Sequence, residues 1–191
     1  MRVIGGSARG RRLLAPKGLD TRPTSDRVKE ALFGILTAMA GPLDGCVALD
    51  LFAGTGGLGI EALSRGAERA VFVDSGREAA AVIAGNLEST RFREQGRVIR
   101  SDFRSALTLL ESEKAEFGLI FIDPPYRKGL MEACLLRLAE SPIVAEGAII
   151  VAEHSSREET LPQYGTLRRF EVRVYGDTAL SFFIKTEKGS P

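Results

Sequence analysis

The sequence predicts a doubly wound, Rossmann-like α/β fold whose mostly parallel sheet ends in an antiparallel hairpin. From residue 46 onward, short and nearly continuous apolar runs alternate with segments of helical periodicity. This alternation is typical of parallel strands that are covered by helices on both faces. Near the C-terminus, only Tyr175, Gly176 and Asp177 separate two strand-like runs, and this connection is too short for a parallel crossover.

Local signals along the chain predict the individual elements. Pro23 forces an extended backbone, after which Thr24 or Ser25 can cap the first helix. Gly41 and Pro42 end that helix. The expected strands are 2–4, 47–51, 70–73, 97–100, 117–122 and 148–152, followed by the hairpin strands 167–174 and 178–185. The later helices are expected at 57–65, 77–88, 103–111 and 129–140.

The chain of 191 residues suits a single domain, 23–191, that follows a basic N-terminal arm, 1–22. The formal net charge is only +1, yet the first thirty residues contain eight basic and three acidic side chains. A basic arm on a mildly acidic body suggests that a polyanion is held at one edge. A solvated basic tail is the alternative interpretation.

Composition excludes several classes of protein. No apolar run approaches the roughly 18 residues that a membrane-spanning helix needs, and no apolar segment follows the N-terminal charges as in a secretory signal. Two cysteines and one histidine do not make a disulfide framework or a zinc site. We therefore expect a cytoplasmic protein that uses neither a membrane nor a metal. A monomer is expected, although composition does not determine the oligomeric state.

A glycine-rich loop follows the first strand of the sheet. Gly54, Gly56 and Gly59 match the pattern GxGxxG, which lets backbone N–H groups approach a ligand closely. Asp74 ends the next strand, where a carboxylate can accept hydrogen bonds from both hydroxyls of a ribose. Asp50 would repel a pyrophosphate but suits the ammonium and sulfonium of S-adenosylmethionine. This cofactor is favoured; a nicotinamide or flavin oxidoreductase and a tight turn that binds nothing are the alternatives.

Asp102 ends the third strand and has two possible roles. In a nucleoside site its carboxylate can accept a hydrogen bond from the adenine amino group. It can equally cap the helix that begins at Phe103, and both roles can hold at once.

The tetrapeptide Asp123-Pro124-Pro125-Tyr126 predicts the chemistry. It follows the fourth strand, at the edge of the sheet where ligands bind. The prolines stiffen the loop and donate no N–H, so the loop suits a substrate group that is itself a donor, an NH₂. Asp123 and the Pro124 carbonyl can accept its two N–H bonds, while Tyr126 can stack on the base. We therefore predict methyl transfer to the exocyclic amine of an unstacked nucleic-acid base; a proline-rich turn is the structural alternative.

Five segments resemble the RsmD family of bacterial 16S ribosomal RNA guanine-N2 methyltransferases, and the resemblance covers nearly the whole chain. The glycine loop and the tetrapeptide are shared with many amino-methyltransferases, whereas the two N-terminal segments are the specific part. The segments are 2–10 (RVIGGSARG), 22–33 (RPTSDRVKEALF), 49–66 (LDLFAGTGGLGIEALSRG), 121–130 (FIDPPYRKGL) and 174–178 (VYGDT).

The resemblance implies a class I methyltransferase sheet, S-adenosylmethionine as donor and N2 of the guanine usually numbered 966 as target. It also implies 16S rRNA within the small ribosomal subunit or an assembly intermediate as the substrate. The implied catalytic residues are Asp123, Pro124, Pro125 and Tyr126, and the implied cofactor-binding residues are Thr24, Asp50, Phe52, Gly54, Gly56, Asp74 and Asp102. Arg9, Arg11, Arg12 and Arg22 are the expected RNA-binding residues.

Some alternatives stay open at this point. The residues alone do not distinguish guanine N2 from adenine N6 or cytosine N4. Asp74 stands where the family more often has Glu, although the shorter carboxylate can still reach a ribose. A DNA adenine methyltransferase would need a target-recognition region for which the chain has no room, and a non-catalytic RNA-binding module would not need the acceptor-lined loop.

Overall fold

The computed structural model describes residues 1–15, 25–125 and 129–186. Within these ranges the chain forms five helices and eight strands. The helices are α1 Asp26–Ala40, α2 Gly57–Ser64, α3 Arg77–Thr90, α4 Phe103–Ser112 and α5 Leu130–Ala139. The strands are β1 Val47–Leu51, β2 Arg69–Asp74, β3 Gly96–Arg100, β4 Phe117–Ile122, β5 Val144–Ser155, β6 Gln163–Tyr164, β7 Leu167–Tyr175 and β8 Thr178–Lys185.

All eight strands belong to one sheet in the order β3-β2-β1-β4-β5-β8-β7-β6. The first five strands are parallel, because each of β1 to β4 is followed by a helix that returns the chain to the same edge before the next strand begins. From β5 onward the neighbours β8, β7 and β6 are antiparallel. The predicted doubly wound fold with its antiparallel hairpin is therefore confirmed.

Several predicted boundaries differ from the structure by one or two residues, and three elements differ by more. Strand β5 extends over Val144–Ser155, longer than the expected 148–152, because a register shift in its pairing with β4 lets it begin earlier. The short strand expected at 2–4 is wrong: only an isolated bridge joins Arg2 to Arg12. The two-residue strand β6 was not predicted, since two residues carry no periodic signal.

Each face of the sheet has its own apolar core. On one face, α1, α2 and α3 pack over the sheet, with Phe33 of α1 at a ring-centroid distance of 5.8 Å from Phe121 of β4. On the other face, α4 and α5 bury residues such as Leu107 and Leu135. Each such leucine contributes roughly 1.5–3 kcal/mol through burial. The two layers fix the carboxyl ends of the parallel strands along one edge.

Residues 1–15, part of the segment expected to be an irregular basic arm, pack against the domain. Val3, Ala8 and Leu13 are buried in the same core as α1 and α2. The backbone N–H groups of Ile4 and Gly5 each donate to the Glu61 carboxylate at 2.8 Å. The segment is therefore fixed along helix α2, with its charged side chains outward.

Ser25 caps α1 by accepting a hydrogen bond from the Val28 N–H at 3.3 Å, as one of the two predicted caps. Gly41 ends the helix with a φ of 74°, which favours glycine. Among the described residues, no helix has the length and apolar character needed to cross a membrane.

Candidate active site

Four carboxylates lie at the carboxyl ends of four neighbouring strands. Asp74, Asp50, Asp123 and Glu153 belong in this order to β2, β1, the end of β4 and β5. The register between these strands, together with the alternation of side chains, places all four on the face covered by α1–α3. Ligands of doubly wound sheets bind at this edge, so the row of carboxylates marks the candidate site.

The Asp74 carboxylate holds the glycine loop in place. The Gly54 N–H donates to one oxygen of Asp74 at 2.9 Å, and the Gly76 N–H donates to the other at 2.8 Å. Gly54 and Gly56 have φ values of 54° and 76°, which allow the tight turn. A carboxylate has about four lone-pair sites, so Asp74 can still accept from a ribose.

Asp50 lies beneath the glycine loop. Its side chain is buried and accepts a hydrogen bond from the Gly59 N–H in the first turn of α2 at 2.9 Å. Burial raises the pKa of Asp50 to about 7, and the charge of Asp74 adds to the effect while the Gly59 hydrogen bond opposes it. A cation bound above the loop would favour the ionised form, which is the electrostatic basis for a role in cofactor binding.

Phe52 and Asp102 lie on the other side of the loop. Phe52 has a φ of 64°, an uncommon conformation for a bulky residue, and its ring lies 5.6 Å from that of Phe103. Asp102 is exposed and caps α4, accepting hydrogen bonds from the N–H groups of Arg104 and Ser105 at 3.0 and 3.2 Å. The capping role is thus observed, and the contact of Asp102 with the cofactor adenine stays a prediction.

The described part of the tetrapeptide is joined directly to the strand before the glycine loop. The Asp123 N–H donates to the Leu51 carbonyl at 3.4 Å. Asp123 is half-buried, Pro124 is buried and Pro125 is exposed. Burial holds the pKa of Asp123 well above its ordinary value, and the charges of Glu153 and Asp50 raise it further. Tyr126 lies outside the described residues.

Glu153 is a site residue that the sequence interpretation did not include. It is 5% exposed and follows Ala152, the partner of Ile122 across β4 and β5. The sequence did contain a signal for Glu153, because it directly follows the apolar run 148–152 just as Asp123 directly follows the apolar run 117–122. The strand pairing, which brings the two together, was not readable from the sequence.

A buried polar network next to Glu153 joins the end of β5 to β8. The His154 ring is buried, and its Nε2 lies 2.9 Å from the Ser181 hydroxyl on β8. The Ser181 and Thr160 hydroxyls are themselves 2.9 Å apart. Burial lowers the pKa of His154, which favours the neutral ring. This network fixes the end of β5, so we assign it a supporting role.

Three of the four predicted RNA-binding residues belong to the described segment 1–15. Arg9, Arg11 and Arg12 are exposed on the segment that packs along α2. Arg22 and Thr24 lie outside the described residues. Within the described ranges, no group of three or more histidine, cysteine, aspartate or glutamate side chains is placed to hold a metal ion.

Comparison with known proteins identifies the family. A family model described as conserved hypothetical protein 95 matches residues 1–184. The chain belongs to this family. The protein YlbH of Bacillus subtilis is 43% identical over 97% of the chain and 99% of its own length. Ribosomal RNA small subunit methyltransferase D of Escherichia coli is 33% identical over 99% of the chain and 92% of its own length.

Solved structures of the family agree with the fold described above. The structure of the protein yhhF from Escherichia coli superposes with a TM-score of 0.83 at 33% identity and covers 98% of this chain and 99% of its own. The similarity thus includes the segment 1–15 and the C-terminal hairpin as well as the parallel sheet. Membership of the RsmD family and the methyltransferase fold, both predicted from the sequence, are confirmed.

Proposed function

We propose that this protein transfers a methyl group from S-adenosylmethionine to the exocyclic N2 of a guanine in 16S rRNA. By resemblance, the target is the guanine usually numbered 966. The observation that carries the proposal is the junction of β4 with β1, where the Asp123 backbone bonds to Leu51 and brings the Asp-Pro-Pro loop beside the glycine loop. Family membership and the name of the Escherichia coli relative support ribosomal RNA as the substrate.

The residues at the glycine loop fit the cofactor. A Cβ at Gly56 would lie 3.3 Å from each of three buried side chains, so the absence of a side chain lets the loop make a close turn directly on the core. Asp74 would accept from the ribose hydroxyls, while Asp50 supplies a negative charge beneath the loop. S-adenosylmethionine supplies an electrophilic methyl group on a sulfonium.

The protein's contribution to the reaction is to prepare the amine. The lone pair of an aryl amine is delocalised into the ring, so the nitrogen is a poor nucleophile. The Asp123 carboxylate and the Pro124 carbonyl would accept its N–H bonds, localise the lone pair and aim it at the methyl group. When the methyl group has left the sulfonium and a neutral thioether remains, Asp123 would take the proton that the methylated amine loses. Tyr126 would hold the base in plane by stacking.

The RNA is held outside this pocket. The exposed Arg9, Arg11 and Arg12 would contact phosphates, with Arg22 as a further predicted contact. We propose that the protein acts as a monomer on the small subunit or an assembly intermediate. The geometry around Asp123 suits any exocyclic amine, so methylation of adenine N6 or cytosine N4 is the alternative.

Methylation of small-subunit particles that lack the modification tests the proposal. The purified protein and labelled S-adenosylmethionine are incubated with particles or with naked 16S rRNA, and the nucleosides are identified by mass spectrometry. We expect N2-methylguanosine from the particles and little from naked RNA. N6-methyladenosine or N4-methylcytidine would move the assignment to another base, and no label in either substrate would contradict the proposed function.

A further inference from the structure

A buried amide on α3 joins the basic segment to the glycine loop. Asn86 is fully buried, and its Oδ1 accepts a hydrogen bond from the Leu14 N–H at 2.8 Å. Its Nδ2 donates to the Leu14 carbonyl at 3.0 Å and to the Thr55 carbonyl at 2.9 Å. The Asn86 side chain therefore accepts a hydrogen bond from the segment 1–15, donates one back to it, and donates another to the glycine loop.

These contacts need an asparagine amide. One N–H and two carbonyl groups face Asn86, so only one amide orientation satisfies all three. A leucine of similar size would fill the space but would leave the backbone groups of Leu14 and Thr55 without this partner. Leaving such groups unpaired in a buried place is unfavourable. Packing alone therefore does not account for the residue.

A second contact joins the same two elements independently of Asn86. The Thr55 hydroxyl lies 3.6 Å from the Met1 Sδ, and the Leu13 N–H donates to the Met1 carbonyl at 3.0 Å. A Cβ at Gly57 would lie only 2.6 Å from the Met1 Sδ, so this part of the segment lies directly against the start of α2. Met1 thus contacts the loop directly and Leu14 contacts it through Asn86, while the arginines between them are exposed.

We propose that Asn86 is a positioning residue that makes the glycine loop and the RNA-binding segment one unit, so that cofactor and RNA strengthen each other's binding. The inference rests on the proposed function. Thr55 lies between Gly54 and Gly56 in the loop, whereas Arg9, Arg11 and Arg12 lie on the segment. A ligand that orders the loop orders the segment through the shared amide, and the reverse follows by linkage.

The test compares Asn86→Leu with Thr90→Val. Thr90 is a matched control because it is also buried on α3, but among the described residues its hydroxyl bonds to the Asn86 and Leu87 backbone carbonyls of its own helix and not to the segment or the loop. S-adenosylhomocysteine is the probe for the cofactor site, and a 16S rRNA fragment is the probe for RNA. Both affinities are measured at a temperature at which circular dichroism shows both variants folded.

In the wild-type protein, saturating S-adenosylhomocysteine should tighten RNA binding by at least about 5-fold, the lower end of typical coupling. Asn86→Leu should weaken the binding of each ligand by about 5-fold or more and should reduce the coupling, since only the Met1 contact then joins the two elements. Thr90→Val should retain the wild-type coupling whatever its effect on melting temperature. Equal behaviour of the two variants would overturn the inference. A wild-type protein that binds neither probe would instead contradict the proposed function.

Hydrogen exchange of the wild-type protein keeps the test independent of whether Asn86→Leu folds. S-adenosylhomocysteine should slow exchange of the Leu14 amide, although Leu14 belongs to the segment and not to the loop. Slower exchange confined to the loop, with Leu14 unchanged, would show that the two elements respond separately and would overturn the inference.

Discussion

Asp123 and Glu153 occupy matching positions on adjacent strands, each directly after a member of the pair Ile122–Ala152. Both side chains point to the face that α1–α3 cover. Burial has the largest effect in raising the pKa of Asp123, and the Glu153 charge has the second largest. The Glu153 charge therefore opposes ionisation of Asp123, which makes the proton on Asp123 sensitive to its neighbour.

Replacing Glu153 by Gln should shift the pH dependence of methylation. Asp123 must be ionised to accept both N–H bonds and to take the amine proton, so the rate should fall as the pH drops through its pKa. Removing the Glu153 charge lowers that pKa, and the acid limb of the single-turnover profile should therefore move to lower pH. Glu159→Gln, at an exposed position, is the control for loss of one negative charge. An acid limb that stays in place or moves upward contradicts this electrostatic relation.

Asp123→Ala should abolish turnover while leaving the affinity for S-adenosylhomocysteine within a few-fold. Loss of a preorganised electrostatic contact lowers rates by roughly 10²–10³, and lost positioning of the amine adds to this. Asp123→Asn should be milder, since an amide oxygen still accepts one N–H bond. Single-turnover methylation with saturating cofactor measures the rates of the wild-type protein, Asp123→Asn and Asp123→Ala, which we expect to decrease in this order. A wild-type rate for the alanine variant would mean that the tetrapeptide is only a turn.

Asp50→Asn should change how stability depends on pH. The folded-state pKa of Asp50 is about 7 against an ordinary value of 3.8, so ionisation is disfavoured in the folded protein. The wild-type free energy of unfolding should therefore fall relative to the variant as pH rises from about 4 to about 7. At about 1.4 kcal/mol per pKa unit, the difference could reach roughly 4 kcal/mol.

Urea unfolding of both proteins without cofactor, at pH 4 and at pH 8, measures this change. The same variant should bind S-adenosylmethionine more weakly at pH 8, because it has no charge to offer the cation. Parallel stability curves at the two pH values would show that Asp50 does not titrate in this range.

Replacing Arg9, Arg11 and Arg12 together by Gln should weaken RNA binding and reduce its salt dependence. Each lost phosphate contact makes the negative slope of log K against log salt shallower by about 0.7 on single-stranded RNA. Loss of three contacts should therefore reduce the magnitude of the slope by roughly 2. Substitution is preferable to deletion, because residues 1–15 also contact the glycine loop. Arg93, Arg157 and Arg168, exposed elsewhere, provide the matched triple control. Equal slopes for the two triple variants would make the basic segment a solvated surface.

The sequence predicted most of the sheet because its strands are apolar on both faces. Strand β4, Phe117–Ile122, was predicted to the residue for this reason. Strand β5 was predicted too short, since Glu146 and Gly147 interrupt its apolar pattern although the pairing continues past them. Strand propensity is local, whereas the register shift that extends β5 is set by its neighbour.

The candidate site was predictable in its residue types but not in its contacts. Asp50 and Asp74 were recognised from their places around the glycine loop, yet the burial of Asp50 depends on how α2 folds over it. Glu61 and Asn86 gave no signal, because each is defined by partners more than fifty positions away in the segment 1–15. Polar side chains that satisfy distant backbone groups belong to tertiary structure and carry no periodicity.

The strand order also affects how the molecule forms during synthesis. Strand β5 ends at Ser155, but its outer edge pairs with β8, which ends at Lys185. At about 5–20 residues per second, the apolar edge of β5 stays unpaired in the nascent chain for roughly 2–6 s. An open edge of this kind is where growing chains pair wrongly with one another. During synthesis the strand that carries Glu153 is therefore a second open edge of the parallel sheet, opposite β3, at which nascent chains pair wrongly.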